Sequence, residues 1–394
     1  MRPNALSDLK SPIIAGTVAS VTGTAATTAI FLSAFVAIGA TKEQTVSMVA
    51  LMLVFYGSLS IILSWRFKMP LSVVWSTPGA ALLAGSSLSG VGFNNAMGGI
   101  LVCGLLLALT GLWPKLGEIV SAIPKSIASA MLAGVIFSFC VAPFAASASY
   151  PMLVIPVIVV WVLLYWLAPL WASPVAIVLA FTLIGVNQGL SVTAADWAVS
   201  FSVVQPGINL ASIFTIAIPL YLVAMASQNI PGIAIMNSYG YKVPFRASLT
   251  TTGIGTVVAS FLGGFVMNLA AITAALNANE QAHKDPAKRW VASVSGGVFY
   301  IILAIFTGVA VAFVYQTPRD LLLAASGLAL LPTIVNAFNV MVENAKERLP
   351  AVITFLIASS GISFFQVGAA FWAILVGLIV IALLNLKRPF GSKA

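Results

Sequence analysis

Charged side chains are scarce in this sequence. Only 7% of its 394 residues are Asp, Glu, Lys or Arg, whereas 60% are hydrophobic. Soluble domains carry about 25% charged residues, because water must hydrate their surface. So little charge excludes a water-soluble fold of this length. The sequence therefore predicts an integral membrane protein whose surroundings are the lipid bilayer.

Histidine and cysteine are almost absent as well. The single histidine, His283, lies in the polar stretch AHKDPAKR, which predicts a solvated loop, and the two cysteines, Cys103 and Cys140, lie in apolar runs. One histidine outside the membrane excludes a Ser-His-Asp triad and an all-histidine metal site. The cysteines are spaced for neither a disulfide framework nor a zinc site. We therefore expect no metal, no cofactor and no enzymatic centre.

Carboxylates are missing where a buried proton relay would need them. None of the nine acidic residues lies at the centre of an apolar segment. Glu280 is the nearest to a predicted site residue, and it lies about 18 Å along a helix from Asn268. The sequence therefore leaves the group that would carry a proton unassigned.

The basic residues lie in the connections between apolar segments. The net charge is +9, and all of the 18 Lys and Arg residues except Lys42 and Arg319 fall in connections that one topology places on the same side. Positively charged connections face the cytoplasm. The charge is therefore explained by topology and does not indicate a nucleic-acid partner. Both basic termini are expected in the cytoplasm.

The apolar segments are each about 20 residues long, as a membrane-spanning helix requires. They predict an all-α polytopic fold with about fourteen spans. The predicted spans are 12–38, 43–65, 70–88, 92–113, 117–141, 151–168, 173–189, 208–236, 243–263, 264–280, 288–315, 318–340, 348–364 and 366–386.

Segment 190–207 divides these spans into two equal sets. It is polar-leaning, has no Lys or Arg, and follows the seventh span. Because seven is odd, the second half must be inserted upside down relative to the first, as in the inverted repeats of secondary transporters. We expect one repeat over 12–189 and a second over 208–386.

Interruptions occur in the same order in both halves. In each half, an interrupted or Thr-rich helix precedes a plain apolar helix and then an element that starts extended and continues as a half-helix. The third span starts with Leu71–Trp75 and continues with Thr77 as N-cap and Pro78 in the first helical position. The tenth starts with Phe265–Met267 and continues with Asn268 as N-cap.

The eighth span contains the helix-breaking stretch SQNIPG. Pro231 lacks an N–H group, and its ring clashes with the carbonyl of Ser227. This pattern predicts an unwound or kinked centre. Irregular backbone at membrane depth survives only where protein or a wet cavity satisfies its polar groups, so the interruptions predict a binding site.

Two half-helix N-termini that face each other present free N–H groups and partial positive charge. Such a pair suits an anionic or strongly polar substrate without Lys or Arg. Taken singly, each feature also has a purely structural interpretation. A Pro in a membrane helix often makes a simple kink, and a Ser/Thr stripe often allows helices to pack closely. Trp75, Phe265 and Tyr221 are candidates for stacking an aromatic substrate, although core filling is the more common role of such residues.

Four stretches together resemble a known family: VTGTAATTA in the first span, PLSVVWSTPGAALLA in the third, SQNIPGIAIMNSYGY in the eighth and GGFVMNLAAITAALNAN in the tenth. They resemble the BenE-type benzoate/proton symporters, and the resemblance runs across essentially the whole chain. It implies import of benzoate with a proton across the bacterial inner membrane.

That family is similar in architecture to nucleobase permeases and to sulfate/bicarbonate-type anion transporters. The resemblance implies a core domain from 12–113 and 208–315 and a gate domain from 117–189 and 318–386. Substrate is expected between the third and tenth spans, carried by an elevator-like movement of the core.

The resemblance also implies the site residues. Nucleobase permeases carry glutamates at about the positions of Gln228 and of Met267 and Asn268, and the absence of a carboxylate here fits an anionic substrate. The substrate carboxylate is expected to accept hydrogen bonds from the backbone N–H groups of residues 77–79 and 268–270. The expected substrate-binding residues are Thr24, Ser76, Thr77, Pro78, Gly79, Gln228, Asn229, Met267, Asn268 and Leu269.

Other functions stay open. The same pattern suits a transporter of another anion or of a nucleobase. It also suits an anion channel whose pore the interruptions would line. The sequence leaves open whether the chain forms a homodimer.

Overall fold

The computed structural model describes residues 8–85, 91–189, 193–199, 201–365 and 367–385, and most of them are helical. The helices are α1 (Lys10–Ala37), α2 (Lys42–Phe67), α3 (Thr77–Gly85), α4 (Phe93–Leu112), α5 (Pro114–Ser121), α6 (Lys125–Ser149), α7 (Pro151–Leu167), α8 (Pro169–Gln188), α9 (Leu210–Ser238), α10 (Phe245–Ser260), α11 (Ile272–Ala278), α12 (Trp290–Leu303), α13 (Thr307–Gln316), α14 (Arg319–Glu343), α15 (Arg348–Ser359) and α16 (Ala369–Asn385). The strands are β1 (Val73–Trp75), β2 (Met267–Leu269), β3 (Ser363–Phe364) and β4 (Val367–Gly368).

Long apolar helices dominate the structure. Within the described ranges, six helical stretches are long and apolar enough to cross a membrane, and several shorter apolar helices accompany them. The six are Lys42–Phe67, Phe93–Leu112, Lys125–Ser149, Leu210–Ser238, Pro286–Gln316 and Ser326–Glu343. The prediction of a helical membrane protein is confirmed.

Two helix boundaries differ from the predicted spans. The fifth span was expected at 117–141, but α5 ends at Ser121 and α6 runs from Lys125 to Ser149. Pro124 lies at the break with ψ of 129°, an extended conformation that separates the two helices. The thirteenth was expected to reach residue 364, but α15 ends at Ser359, shortly before Gly361 with φ of +64°.

The helices pack in two sets of neighbours. In the first set, α10 packs along α4, and α12 packs against α1 and α2. In the second set, α6 packs against α14 and α15, and α7 packs against α8. Helix α1 also contacts α14 and α8, so the two sets meet along it.

An antiparallel ribbon of two short strands lies inside this bundle. β1 pairs with β2, with Val73 opposite Leu269, Val74 opposite Asn268 and Trp75 opposite Met267. The prediction that the third and tenth elements begin extended is confirmed. Because a helix begins shortly after each strand, the ribbon joins two half-helices that run in opposite directions.

The outer edge of β1 is hydrogen-bonded by serines of α2. The Ser60 hydroxyl accepts the Val73 N–H at 2.8 Å and lies 3.1 Å from the Val73 carbonyl. The Ser64 hydroxyl donates to the Leu71 carbonyl at 2.9 Å. A strand edge without partners is costly away from water, so these hydroxyls let β1 remain extended in the core.

The outer edge of β2 is hydrogen-bonded in the same way. Thr256 of α10 accepts the Met267 N–H at 2.9 Å, and Asn229 of α9 accepts the Leu269 N–H at 2.9 Å. The helices before each strand, α2 and α10, run without interruption, as predicted. Each carries the hydroxyl groups that hold the neighbouring strand.

We predict that Ser60→Ala lowers the free energy of unfolding by about 1–3 kcal/mol, because it leaves the buried Val73 N–H without a partner. The matched control is Ser58→Ala, a half-buried serine on the same helix. Thermal unfolding in detergent measures both variants. Equal melting temperatures for the two would contradict the role of Ser60.

Candidate substrate site between the half-helices

The N-terminus of α3 is capped by Ser76. The Gly79 N–H donates to the Ser76 hydroxyl at 3.0 Å, and the Ala80 N–H donates to the Ser76 carbonyl at 2.8 Å. The predicted cap, Thr77, is wrong by one residue, and Pro78 is the second helical residue. Ser76 directly follows β1, so its hydroxyl is the one that reaches the first turn.

The N-terminus of α11 lies further along the chain than expected. α11 begins at Ile272, and Asn268 is the central residue of β2. The prediction of Asn268 as an N-cap is therefore wrong. The Ala270 N–H donates to the Ser72 carbonyl at 2.9 Å, so strand pairing continues past Asn268 and keeps this backbone extended.

The SQNIPG stretch remains helical. Residues Met225–Asn229 form a π turn, in which the Ile230 N–H donates to the Met225 carbonyl, and Asn229 has helical angles of φ −63° and ψ −53°. Of the two predicted alternatives, an unwound or a kinked centre, the unwound one is wrong. The wider turn changes the register of the helix just before Pro231, whose missing N–H then causes no break. Single π turns are frequent at functional sites.

Gln228 and Asn229 bond to the chain that leads into α11. Asn229 is fully buried and accepts the Leu269 N–H, while the Gln228 side-chain oxygen accepts the Ala271 N–H at 3.3 Å. The N–H groups of residues 269 and 270, which were expected to hold the substrate, are therefore occupied by Asn229 and Ser72. Gln228 Nε2 has no partner within the described residues, so it remains available as a donor.

The two half-helix N-termini lie too far apart to share one carboxylate. The ribbon register places Ala270 beside Ser72, four residues before Ser76, which is about 13 Å along a strand. Helix α9 gives an independent measure: Leu220 lies against Gly79, and Gln228 bonds Ala271. Eight residues of helix correspond to about 12 Å. The expectation that one carboxylate contacts both termini is therefore wrong.

Trp75 lies on the other face of the ribbon from Asn268, because side chains of adjacent strand residues alternate. Its ring packs 4.8 Å from Phe31, 5.6 Å from Tyr56 and 5.9 Å from Tyr300, measured between centroids. Beside it is an apolar cavity of about 120 Å³. The cavity is lined by Thr24, Thr28, Phe31, Leu32, Val49, Met52, Leu53, Trp75, Leu303, Phe306, Thr307 and Ala310.

The predicted site residues thus fall in four neighbouring places. Ser76 to Gly79 form the start of α3, Met267 to Leu269 form β2, Gln228 and Asn229 hold the start of α11, and Thr24 lines the aromatic cavity with Trp75. Phe265 packs 5.7 Å from Phe31 and is fully buried, which is core filling. Tyr221 is buried with its hydroxyl 2.6 Å from that of Thr110.

Asn268 carries a buried polar atom without a partner. Its side chain is fully buried, and Nδ2 donates to the Leu269 carbonyl at 3.1 Å. Rotating the Asn268 side-chain amide by half a turn would place Oδ1 against the Leu269 carbonyl oxygen, and two acceptors repel each other. Nδ2 is therefore the atom that faces this carbonyl. Oδ1 then has no hydrogen-bond donor among the described residues. It is an acceptor within the ribbon, not a donor to an anion.

Arg289 is a site-supporting residue that sequence reasoning placed in a loop. It is 4% exposed and donates to the Ala278 carbonyl at 2.7 Å, at the C-terminus of α11. A cation is favourable there. The loop is not simply solvated, because the His283 side chain lies 3.2 Å from Asp8. Hydrogen bonds from Lys288 and His283 lower the pKa of Asp8.

Paired half-helices around a two-stranded ribbon, set in a bundle of apolar helices, define the class of protein: a membrane transporter built on broken helices. The family model for BenE, benzoate membrane transport protein, matches residues 8–383, and the chain belongs to this family. It is therefore a transporter and not an enzyme.

Two curated relatives are similar over most of the chain. It is 33% identical over 376 residues to the inner membrane protein YdcO of Escherichia coli strain K12, covering 95% of this chain and 96% of that protein. It is 28% identical over 333 residues to the benzoate membrane transport protein of Acinetobacter baylyi, covering 84% of each.

Solved structures of anion transporters have a similar fold. The transmembrane domain of the cyanobacterial bicarbonate transporter BicA matches with a TM-score of 0.60 at 15% identity, over 96% of this chain and 98% of that one. The murine SLC26A9 anion transporter matches with a TM-score of 0.56 at 13% identity, over 98% of this chain and 70% of that one. At these identities the likeness concerns the fold alone.

Gly232→Ala tests the contact between α9 and α11. A methyl group on Gly232 would lie 2.7 Å from the Ala270 carbonyl oxygen, so the backbone of one element must move. Overpacking costs about 1–3 kcal/mol, and we expect the rate of substrate transport to fall about tenfold or more. Initial rates in proteoliposomes measure the effect.

The matched control is Gly185→Ala in α8, where the added methyl would meet only a Phe313 ring carbon at 3.4 Å. We expect transport by this variant to stay close to that of the original protein. Equal loss in both variants would contradict the special role of the Gly232 contact.

Proposed function

We propose that this protein is a secondary active transporter that imports benzoate or a similar aromatic carboxylate with a proton across the bacterial inner membrane. The observation that carries the proposal is the uncharged ribbon between two half-helices, flanked by an aromatic cavity. Membership of the BenE family supports the substrate class. The printed names of the two relatives, one a benzoate transporter and one an inner membrane protein, agree with it.

The proposed architecture is fourteen spans in two inverted repeats, over 12–189 and 208–386. The matching roles of two hydroxyl residues support it. Ser60, in the second span, bonds the strand of the third, and Thr256, in the ninth span, bonds the strand of the tenth. Equivalent bonds at equivalent places in both halves are what an internal repeat produces. Both termini are proposed to be cytoplasmic.

The proposed domains follow the two sets of packed helices. The core domain, from 12–113 and 208–315, includes the ribbon and both half-helices. The gate domain, from 117–189 and 318–386, includes α6, α14 and α15, which pack together. An elevator-like movement of the core along the gate would carry the site from one side of the membrane to the other. A homodimer formed through the gate domain is compatible with this arrangement.

The proposed substrate position is beside the start of α3. Trp75 lines the aromatic cavity and directly precedes Ser76, the cap of α3. The aromatic ring is proposed to occupy this cavity with Thr24. The carboxyl group is proposed to lie in the same cavity, on its side towards Ser76, Thr77, Pro78 and Gly79. The ribbon next to the substrate includes β2, formed by Met267, Asn268 and Leu269. It is held by hydrogen bonds to Gln228 and Asn229, and Gln228 Nε2 is proposed as a further donor.

Transport of another anion is a second candidate, because the fold is shared with transporters named for bicarbonate and anions. The cavity favours the aromatic substrate over small inorganic anions. Its lining is mostly apolar and includes three aromatic rings, those of Phe31, Trp75 and Phe306. A small hydrated anion would gain nothing from these rings.

Uptake of labelled benzoate into proteoliposomes under an inward proton gradient tests the proposal. Because neutral benzoic acid crosses lipid unaided, the informative quantity is the saturable initial rate above that of protein-free liposomes. We expect saturable uptake, competed by unlabelled benzoate and not by sulfate or uracil. A rate equal to that of protein-free liposomes would reject the transport proposal.

A further inference from the structure

We propose that the transported proton travels on the substrate itself, so that the site binds the neutral carboxylic acid and not the carboxylate. This inference rests on the proposed function and concerns the protonation state of the same substrate. It follows from the hydrogen-bonding groups that line the cavity beside Trp75.

The hydroxyl groups of this cavity can only accept hydrogen bonds. Thr24 donates its proton to the Ser20 carbonyl at 2.8 Å, Thr28 donates to the Thr24 carbonyl at 2.7 Å, and Thr307 donates to the Ala304 carbonyl at 2.8 Å. Each hydroxyl has one proton, and these bonds use it. Only the oxygen lone pairs then remain for hydrogen bonds with a substrate. A bound carboxylate, which only accepts, gains no hydrogen bond from these groups.

Donors are few around the ribbon as well. The N–H groups of Leu269, Ala270 and Ala271 are taken by Asn229, Ser72 and Gln228, and that of Gly79 is taken by the Ser76 hydroxyl. In the cavity lining, the indole N–H of Trp75 has no partner among the described residues. This indole donor and several acceptors in the cavity, with Gln228 Nε2 as a further donor at the ribbon, complement a carboxylic acid, whose carbonyl accepts and whose hydroxyl donates.

Within the part of the chain that the structure describes, no charged side chain lines this cavity, so nothing in its lining balances an anion. The titratable side chains Tyr56 and Tyr300 pack against Trp75, and a phenol is either neutral or negative, so neither could balance an anion. The other ionisable groups on the elements around the cavity lie at helix ends. They are Lys10 on α1, Lys42, Glu43 and Arg66 on α2, Tyr315 at the end of α13, and Arg319, Asp320 and Glu343 on α14.

The cost of protonation is modest beside the cost of burying an unpaired charge. A carboxylic acid with a pKa near 4 is protonated in about one molecule per thousand at pH 7. Each pH unit changes that fraction about tenfold. An ionised carboxylate in a cavity with a single free donor loses its hydration and recovers little of it.

This arrangement couples one proton to each substrate without a titratable residue. The carboxylate takes a proton from water on the outer side, crosses as the neutral acid, and returns the proton to water on the inner side. Each transport cycle therefore moves no net charge across the membrane. No side chain of the protein then has to carry the proton, so a carboxylate relay in the apolar segments is not needed.

Equilibrium binding to the protein in lipid nanodiscs tests the inference without interference from passive permeation. Three probes of similar shape are compared between pH 5.5 and 8.5: benzoate, the neutral benzamide, and benzenesulfonate, which is always an anion. We expect the apparent Kd of benzoate to rise about tenfold per pH unit, the Kd of benzamide to stay constant, and benzenesulfonate to bind at least about a hundredfold more weakly than benzoate at pH 6.

Each alternative result has a distinct meaning. A benzoate Kd that does not change with pH, or benzenesulfonate binding as tight as that of benzoate, would overturn the inference and leave the proposed function intact. No binding of benzoate or benzamide at any pH would overturn the proposed function and this inference with it.

Threonine variants locate the acceptor. Thr28→Val keeps the shape of the side chain and removes the lone pairs, and we expect it to raise the Kd of benzoate about five- to tenfold at pH 6. Thr27→Val is the matched control, because Thr27 makes the same bond to its own helix, to the Gly23 carbonyl at 2.7 Å, but does not line the cavity. Equal effects of the two variants would contradict the role of Thr28.

Discussion

The hydrogen bonding of the ribbon is the constraint on which the rest of the structure depends. Extended backbone inside a membrane protein must find partners within the protein, since lipid offers none. Here the two strands bond each other, and their outer edges are bonded by Ser60 and Ser64 of α2, Thr256 of α10 and Asn229 of α9. These four side chains determine which helices must surround the ribbon and at what depth each must lie.

Satisfying the ribbon also determines the chemistry of the site. The backbone N–H groups before α11 are used to hold Asn229 and Gln228, so they are not free to bind an anion. The start of α3 lies about 12–13 Å away along the ribbon. At the proposed site a substrate would therefore contact one half-helix at a time, together with an aromatic cavity and hydroxyl lone pairs. This environment favours a neutral or protonated aromatic acid over a free carboxylate.

Sequence reasoning located the interruptions well and their local geometry less well. The extended starts at Leu71–Trp75 and Phe265–Met267 were predictable from β-branched and aromatic residues before a break, and they are present. The caps were not: Ser76 replaces Thr77, and Asn268 caps nothing, because strand pairing overrides local capping preference. Pro231 suggested an unwound helix, whereas a π turn absorbs it. Ser60 and Thr256 went unnoticed, because a single hydroxyl in an apolar helix usually bonds its own helix.

The sequence by itself determined that this protein lies in a membrane, that its helices are interrupted in matching places, and that its interruptions carry amides and hydroxyls without charge. These properties follow from composition and local pattern, which one chain segment contains. Only the tertiary structure decided which N–H groups remain available, how far apart the half-helices begin, and which threonines line a cavity. Those depend on register between strands distant in the chain, because hydrogen bonds between α9, β2 and β1 are formed only once the bundle has assembled.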